Sequence, residues 1–312
     1  MSDALTAFAP ASIGNVAVGF DMLGLALTGV GDRVTAERTG GSAVTIDAVL
    51  GIDGQPHPYL STDATQNTAS IAAKALWDAH GDGGIKLTVR KGVPLQSGMG
   101  SSAASAVAAV VAVNALLKKP LETGQLLLYA LEGEKFASKG MHADNVAPSL
   151  LGGLVLCPSV LLPDMISLPV PSGVSAVLVH PELQVNTARA RQALARGYSM
   201  EQWLSQQGYL AGFVAACAAD DMDMIRKTLK DVIIEPQRAE AVPCFDAVKE
   251  AAERGGALGF SLSGSGPSMF ALVETDMANN LAVAMEQACR RHGIDCESWV
   301  SPLDAPGAHV ED

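Results

Sequence analysis

Aromatic residues are scarce in this sequence, at 4%, and charged residues make up only 17% of it. With hydrophobic residues at 48%, the core must therefore be built mostly from aliphatic side chains and alanine, as in an ordinary globular protein rather than a disordered or fibrous one. Basic residues are the scarcer sign, 21 Lys and Arg against 33 Asp and Glu, and no basic block occurs anywhere. That balance argues against nucleic acid or an anionic membrane as a partner. Any phosphate group must be held locally, by amides and a few placed cations. The five cysteines (Cys157, Cys217, Cys244, Cys289 and Cys296) have neither CxxC spacing nor the density of a disulfide framework, so they read as buried or incidental thiols. No cluster of His and Cys suggests zinc. Residues 92–117 carry no charge and exceed the roughly 20 residues that span a bilayer. Their first third, Gly-Val-Pro-Leu-Gln-Ser-Gly-Met-Gly-Ser-Ser, is loop chemistry, and the Ala/Val remainder from Ala103 is too short to span. A buried helix behind a glycine loop is predicted instead. Residues 1–10 have an early Asp3 and no basic segment, so they do not read as a signal peptide, and a cytoplasmic protein is expected.

A chain of 312 residues has room for two domains of ordinary size. Apolar spacing and turn residues predict a strand at 5–9 ended by Pro10, a hairpin from 32–37 and 43–48, a helix over 66–80 and a strand at 85–89. Helices at 101–116, 122–138 and 145–151 follow, then a strand at 154–157. Pro158, Pro163, Pro169 and Pro171 mark a junction, which gives domains 1–158 and 159–312. Beyond it lie a strand at 174–179 and helices at 187–195, 200–219, 221–230 and 244–254. Strands at 257–262 and 268–273, a helix at 277–291 and a strand at 296–300 complete the order. Helix pairs between strands argue for an α+β fold and not for regular βαβ winding.

The sharpest signal is Pro94-Leu-Gln-Ser-Gly98-Met99-Gly100-Ser101-Ser102-Ala103-Ala104, between a strand and an Ala-rich helix. Glycines let the chain turn tightly and bring amides close to a ligand. The first helical turn offers unpaired N–H groups and the positive end of the helix dipole, an anion site that needs no net positive charge. Ser101 and Ser102 can cap the helix, or donate to phosphate, or ligate Mg²⁺. An N-cap with no ligand has the same spacing. Gly98-x-Gly100-x-x-Ala103 also fits the looser dinucleotide fingerprint, but a helix pair follows where that fingerprint wants a βαβ unit. Walker A fails, because no Gly-Lys-Ser/Thr occurs.

Two outer segments share the glycine punctuation. One is Ala9-Pro10-Ala-Ser-Ile13-Gly14-Asn15-Val-Ala-Val-Gly19-Phe20-Asp21-Met-Leu-Gly24. The other is Gly259-Phe-Ser-Leu-Ser263-Gly264-Ser265-Gly266-Pro267-Ser268. Between them stands Glu134-Lys-Phe-Ala-Ser138-Lys-Gly140-Met-His142-Ala-Asp144-Asn145-Val-Ala-Pro148-Ser-Leu-Leu-Gly152-Gly153. Taken alone, Asn15 reads as an Asx-turn residue, Asp21 as a cap, and Glu132 and Glu134 as solvent-facing.

Together these segments, in this order, resemble the GHMP kinases from Pro10 to about Phe270. The central loop resembles the family's phosphate-binding motif, with Met99 in place of Leu, a near volume-conserving change. Gly264-Ser265-Gly266-Pro267 resembles its third motif. Ile13-Gly14 stands where the family's amino-acid-phosphorylating branch has Ser-Ala. That resemblance implies a two-domain GHMP kinase fold, with an N-terminal domain like ribosomal protein S5 domain 2 and a ferredoxin-like C-terminal domain. It also implies ATP and Mg²⁺, transfer of phosphate to the side-chain hydroxyl of L-homoserine on the route to threonine, and a homodimer. Other small-molecule kinases of the family, or a non-catalytic nucleotide-binding relative, stay open as alternatives.

The implied site is specific. Pro94, Gly98, Met99, Gly100, Ser101, Ser102, Ala103, Gly264, Ser265 and Gly266 would bind the nucleotide, and Ser102 with Glu134 would hold Mg²⁺. Asp21 would accept a hydrogen bond from the attacking hydroxyl, and Asn145 stands where the wider family often places a basic Asp. Asn15, Asp21, His142, Asp144, Arg191 and Arg238 would bind the amino acid. Arg191 lies in Thr187-Ala-Arg-Ala-Arg191 and Arg238 in Glu235-Pro-Gln-Arg238, each resembling a family motif. Planar guanidinium groups suit a free carboxylate. Without the resemblance both would read as surface salt-bridge residues.

Overall fold

In the computed structural model, residues 4–311 are described, except 139, 141 and 196. The first half of the chain runs β1 (Ala4–Gly14), β2 (Leu23–Thr39), β3 (Val44–Leu50), α1 (Thr68–His80), β4 (Gly84–Arg90) and α2 (Ser101–Leu116). It continues through α3 (Leu127–Ser138), α4 (Val146–Leu151), β5 (Leu154–Leu156) and β6 (Ile166–Leu168). The second half runs β7 (Val174–Pro181), α5 (Thr187–Gln192), α6 (Met200–Ala219), α7 (Met222–Thr228), α8 (Glu235–Arg238) and α9 (Phe245–Arg254). It ends with β8 (Gly259–Leu262), β9 (Met269–Glu274), α10 (Ala278–Arg291), β10 (Cys296–Pro302) and β11 (His309–Val310).

The larger sheet has the order β11-β1-β2-β4-β3, with β5 and β6 continuing from the early part of β2. Two expectations are corrected here. Pro10 does not end β1. It sits inside the strand opposite Gly31, and the register shifts between Pro10 and Ser12, a bulge that accommodates a residue without an N–H. The expected hairpin between 32–37 and 43–48 does not form either. β4 lies between β2 and β3, antiparallel to the first and parallel to the second. Ile85, Leu87 and Val89 of β4 are buried, so the strand belongs inside a sheet, and α1 supplies the crossover that a parallel pair requires. Alternation identified these strands but could not name their partners.

α2 is apolar on every side and buries 12 of its residues, so it becomes the central helix, packed among α1, α3, β1 and β2. Its charge-free sequence is explained by that position, and no helix among the described residues is long and apolar enough to cross a membrane. The second sheet has the order β10-β7-β9-β8, all antiparallel. Its middle strands are buried on both faces. Val177 and Val179 of β7, with Met269, Ala271 and Val273 of β9, pack under α9 and α10. Ala176, Leu178, Phe270 and Leu272 point the other way, into a core shared with β1, β2 and α6. That shared core fixes the two sheets against each other and leaves a cleft between their loops. β6, α8 and β11 are short elements that apolar spacing did not predict.

Candidate active site

The glycine loop enters α2 through Gly100, which takes a left-handed φ of 68° as N-cap, and no side chain caps the helix. The orphan amides of the first turn are thus left for something else. Ser101 does not cap; its hydroxyl donates to the Val93 carbonyl at 2.9 Å. Gly98 (φ 79°) marks the closest approach of the third motif: a Cβ there would lie 2.4 Å from the Ser263 carbonyl oxygen. The Ser263 hydroxyl donates to the Gly98 carbonyl (2.7 Å), Ser268 N to the Ser97 carbonyl (3.1 Å) and Ser12 N to the Met99 carbonyl (3.1 Å). Gly264 N donates to the Gly14 carbonyl (3.0 Å), so the first and third motifs also join directly. Ile13 and Gly14 stay in regular β1, opposite Leu25 and Gly24.

A cleft of about 410 Å³ opens above this loop. Its lining includes Asn15, Asp21, Gly98, Gly100, Ser101, Ser102, Glu134, His142, Asp144, Asn145, Arg191, Arg238, Gly264 and Ser265. Pro94, Met99, Ala103 and Gly266 do not line it. Met99 and Ala103 are buried in the cores behind the loop, and Gly266 presses its carbonyl toward Gly98. Met99, Ala103 and Gly266 therefore back the loop and do not face the cleft.

Ser102 on α2 donates to Glu134 on α3 at 2.6 Å, which places a hydroxyl and a buried carboxylate side by side at the loop. Two such oxygens fit a hard cation that draws its other ligands from phosphate and water.

At the other end of the cleft, charges meet one another. Arg191 donates in bidentate fashion to Asp21, Nη1 to Oδ2 at 2.8 Å and Nη2 to Oδ1 at 2.6 Å. Asp21 sits at a left-handed φ of 58°, and its N–H donates to Asn15 Oδ1 (3.0 Å) while Asn15 Nδ2 donates to the Gly264 carbonyl (3.0 Å). Both ends of the Asn15 amide therefore serve to hold the loop. His142 Nδ1 lies 3.4 Å from Asp21, but burial lowers the imidazole pKa, so near neutral pH this is a contact of a neutral ring and not an ion pair. Asn145 Oδ1 accepts from the Ser12 hydroxyl (2.9 Å). Burial, and then the charges of Asp21 and Glu134, push the Asp144 carboxyl up to about 7. Arg238 is buried and donates to the Gly264 carbonyl (2.9 Å), while burial and then Arg191 lower its pKa.

Several residues were missed from sequence. Lys91 lines the cleft, is paired with the fully buried Asp32, and donates to the Ser101 carbonyl (2.7 Å) and the Ser105 hydroxyl (2.8 Å). Asp32 Oδ1 accepts from Gly92 N and Val93 N, so one buried pair ties β2 to both ends of the loop. The available signals were an acid within the alternation of β2 and a lysine on the border of the charge-free stretch. Ser12 and Thr187 also reach this region, the latter 3.2 Å from Ser265.

Known proteins match this architecture. The family descriptions "GHMP kinases N terminal domain" and "GHMP kinases C terminal" fit residues 67–153 and 213–291. With these matches and the full-length relatives below, the chain belongs to the GHMP kinases, with their two-domain α+β fold. Within that family the similarity runs to homoserine kinases. The one from Xanthomonas campestris pv. campestris (strain B100) is 45% identical over 306 residues, 97% of this chain and 93% of that one. That of Chlorobium phaeobacteroides (strain BS1) is 39% identical, over 98% of this chain and 99% of its own. The crystal structure of homoserine kinase from Cytophaga hutchinsonii superposes with a TM-score of 0.94 at 40% identity, covering 100% of this chain and 98% of that one.

Proposed function

We propose that the protein transfers the γ-phosphate of ATP to the side-chain hydroxyl of L-homoserine, giving O-phospho-L-homoserine for threonine synthesis. One observation carries this reading: a cradle of main-chain amides and the Ser102–Glu134 oxygen pair share a single cleft with a bidentate Arg191–Asp21 pair and Arg238. The full-length similarity to homoserine kinases supports it. In phosphoryl transfer the protein acts mainly by positioning and by stabilising charge.

The 98–102 loop and the first turn of α2 would grip the phosphate chain, and Gly264 and Ser265 would close over it. Ser102 and Glu134 would hold Mg²⁺, which supplies charge neutralisation on the phosphate oxygens when bound. Free homoserine is a zwitterion, and that matches a site whose own charges are already balanced. Its carboxylate can take over the Arg191 and Arg238 guanidiniums, and its polar groups can take over Asp21 with no net charge stranded. Asp21 would then accept from the attacking hydroxyl and Asn145 would orient it. Asn15, His142 and Asp144 would border the amino-acid end. The division into 1–158 and 159–312 is part of the same proposal: the first unit brings the cradle and the oxygen pair, the second brings the arginines. So are a cytoplasmic location and a homodimer, to which the exposed Met200, Trp203 and Leu204 on one face of α6 would contribute.

The test is a coupled ADP-release assay with homoserine, mevalonate, galactose and shikimate in turn. ADP release with homoserine alone is expected. Release with another alcohol and not with homoserine would end the reading. ATP binding without turnover on any of them would favour a non-catalytic relative.

A further inference from the structure

Phe20 has no role in the assignment above, yet it touches both arginines. It is the second residue of a tight turn closed by Met22 N donating to the Gly19 carbonyl at 2.8 Å, and Asp21 follows it. The Cζ atoms of Arg191 and Arg238 each lie 5.2 Å from the Phe20 ring centroid. The two guanidiniums come from α5 and α8, far apart in sequence, and like charges this close repel. Asp21 pairs directly with Arg191 and reaches Arg238 only at longer range, as do Asp231 and Asp144. Arg238 has a buried Nε with no hydrogen-bond partner. What the two cations share is one aromatic ring, whose negative π-surface attracts each of them. The turn that presents the ring is rigid, because the Asn15 amide holds Asp21 N on one side and the Gly264 carbonyl on the other.

We propose that Phe20 is a positioning residue: its ring holds Arg191 and Arg238 as a pair, so that one incoming carboxylate meets both. This rests on homoserine as the substrate, and the experiment separates the two ideas. Loss of the ring face leaves two mutually repelling side chains held only by Asp21 and by the Gly264 carbonyl, and the substrate must then complete their ordering.

Phe20→Leu, or Phe20→Met should the leucine variant not fold, is compared with Phe20→Tyr, which keeps the ring. Melting temperature is followed alongside kcat and the KM of each substrate. The aliphatic variant should raise the homoserine KM about tenfold, with kcat and the ATP KM changed less than about twofold. The tyrosine variant should stay within about twofold of wild type in all three. A residue that only fills space would instead lower stability and move both KM values together. An unchanged homoserine KM in the aliphatic variant, equal increases in the aliphatic and tyrosine variants, or a parallel rise in the ATP KM would each overturn the clamp. If Arg191→Ala raises the homoserine KM while the aliphatic variant does not, the clamp falls and the functional reading stands. A wild-type protein inert toward homoserine removes both.

Discussion

At the phosphate end of the cleft the fixed contacts are mostly main chain: Ser12 N on Met99 O, Ser268 N on Ser97 O, Gly264 N on Gly14 O. At the amino-acid end they are mostly long side chains, Arg191 on Asp21 and both arginines on Phe20. The first end is set by glycine conformation and has little freedom to rearrange. The second end is held by charges that neutralise one another, and a ligand with both signs could take their places in the proposed reaction. Errors at the first end should therefore be steric and severe, and errors at the second graded and specific to one substrate.

The largest expected effect is at Gly98. Alanine there is strained by the positive φ and drives its Cβ into the Ser263 carbonyl, which is backbone and cannot step aside. The loop must shift by the order of an ångström, so kcat/KM for ATP should fall by about a hundredfold or more. ATP saturation curves with a thermal melt check it. An unchanged ATP KM in a folded variant would mean that main-chain geometry is not what grips the nucleotide.

The arginines should divide the two ends more finely. Arg191→Ala removes the bidentate partner of Asp21, leaves the phosphate loop untouched, and should raise the homoserine KM by roughly thirtyfold or more. Arg238→Ala should raise it similarly, but it also deprives the Gly264 carbonyl of a donor, so a severalfold rise in the ATP KM is expected with it. Measuring both KM values for both variants gives the answer. Identical patterns would erase the distinction drawn between the ends.

This asymmetry also explains what was legible in the sequence. The loop at 98–102 was visible because glycine and serine are needed at fixed spacing, and α2 begins at Ser101 as its chemistry demands. The motif resemblance placed Arg191 and Arg238 together, where the residues alone would have put them on the surface. It could not show that Arg191 and Asp21 face each other, because that pairing spans 170 residues of chain. The Lys91–Asp32 pair stayed hidden for the same reason: burial of a charge depends on which strand lies beside it, and β4 beside β2 was not foreseen. Pairing of strands and of charges is decided by tertiary packing, which local periodicity does not encode.

The last expected effect, read on stability and not on turnover, is the most diagnostic of the amino-acid end and concerns Asp144. Its carboxyl is raised from 3.8 to about 7, by burial first and then by Asp21 and Glu134. The folded state thus holds this proton more tightly than the unfolded chain does. Stability from this group is full below about pH 4 and is lost as pH rises through about 7, with a ceiling of about 4 kcal/mol. Asp144→Asn keeps the shape and removes the titration. Melting curves taken without nucleotide or Mg²⁺ should therefore show the variant gaining on wild type between pH 5 and pH 8.5, by several degrees at the upper end. A difference that does not change with pH would mean the carboxylate is solvated in the folded protein. If homoserine binds as proposed, its ammonium would enter the same cluster of carboxylates, so adding it should flatten the wild-type pH profile while leaving the shape of the variant's profile unchanged. Such selectivity would show that the substrate ammonium compensates the Asp144 carboxylate locally, as main-chain N–H groups at the other end would donate to phosphate.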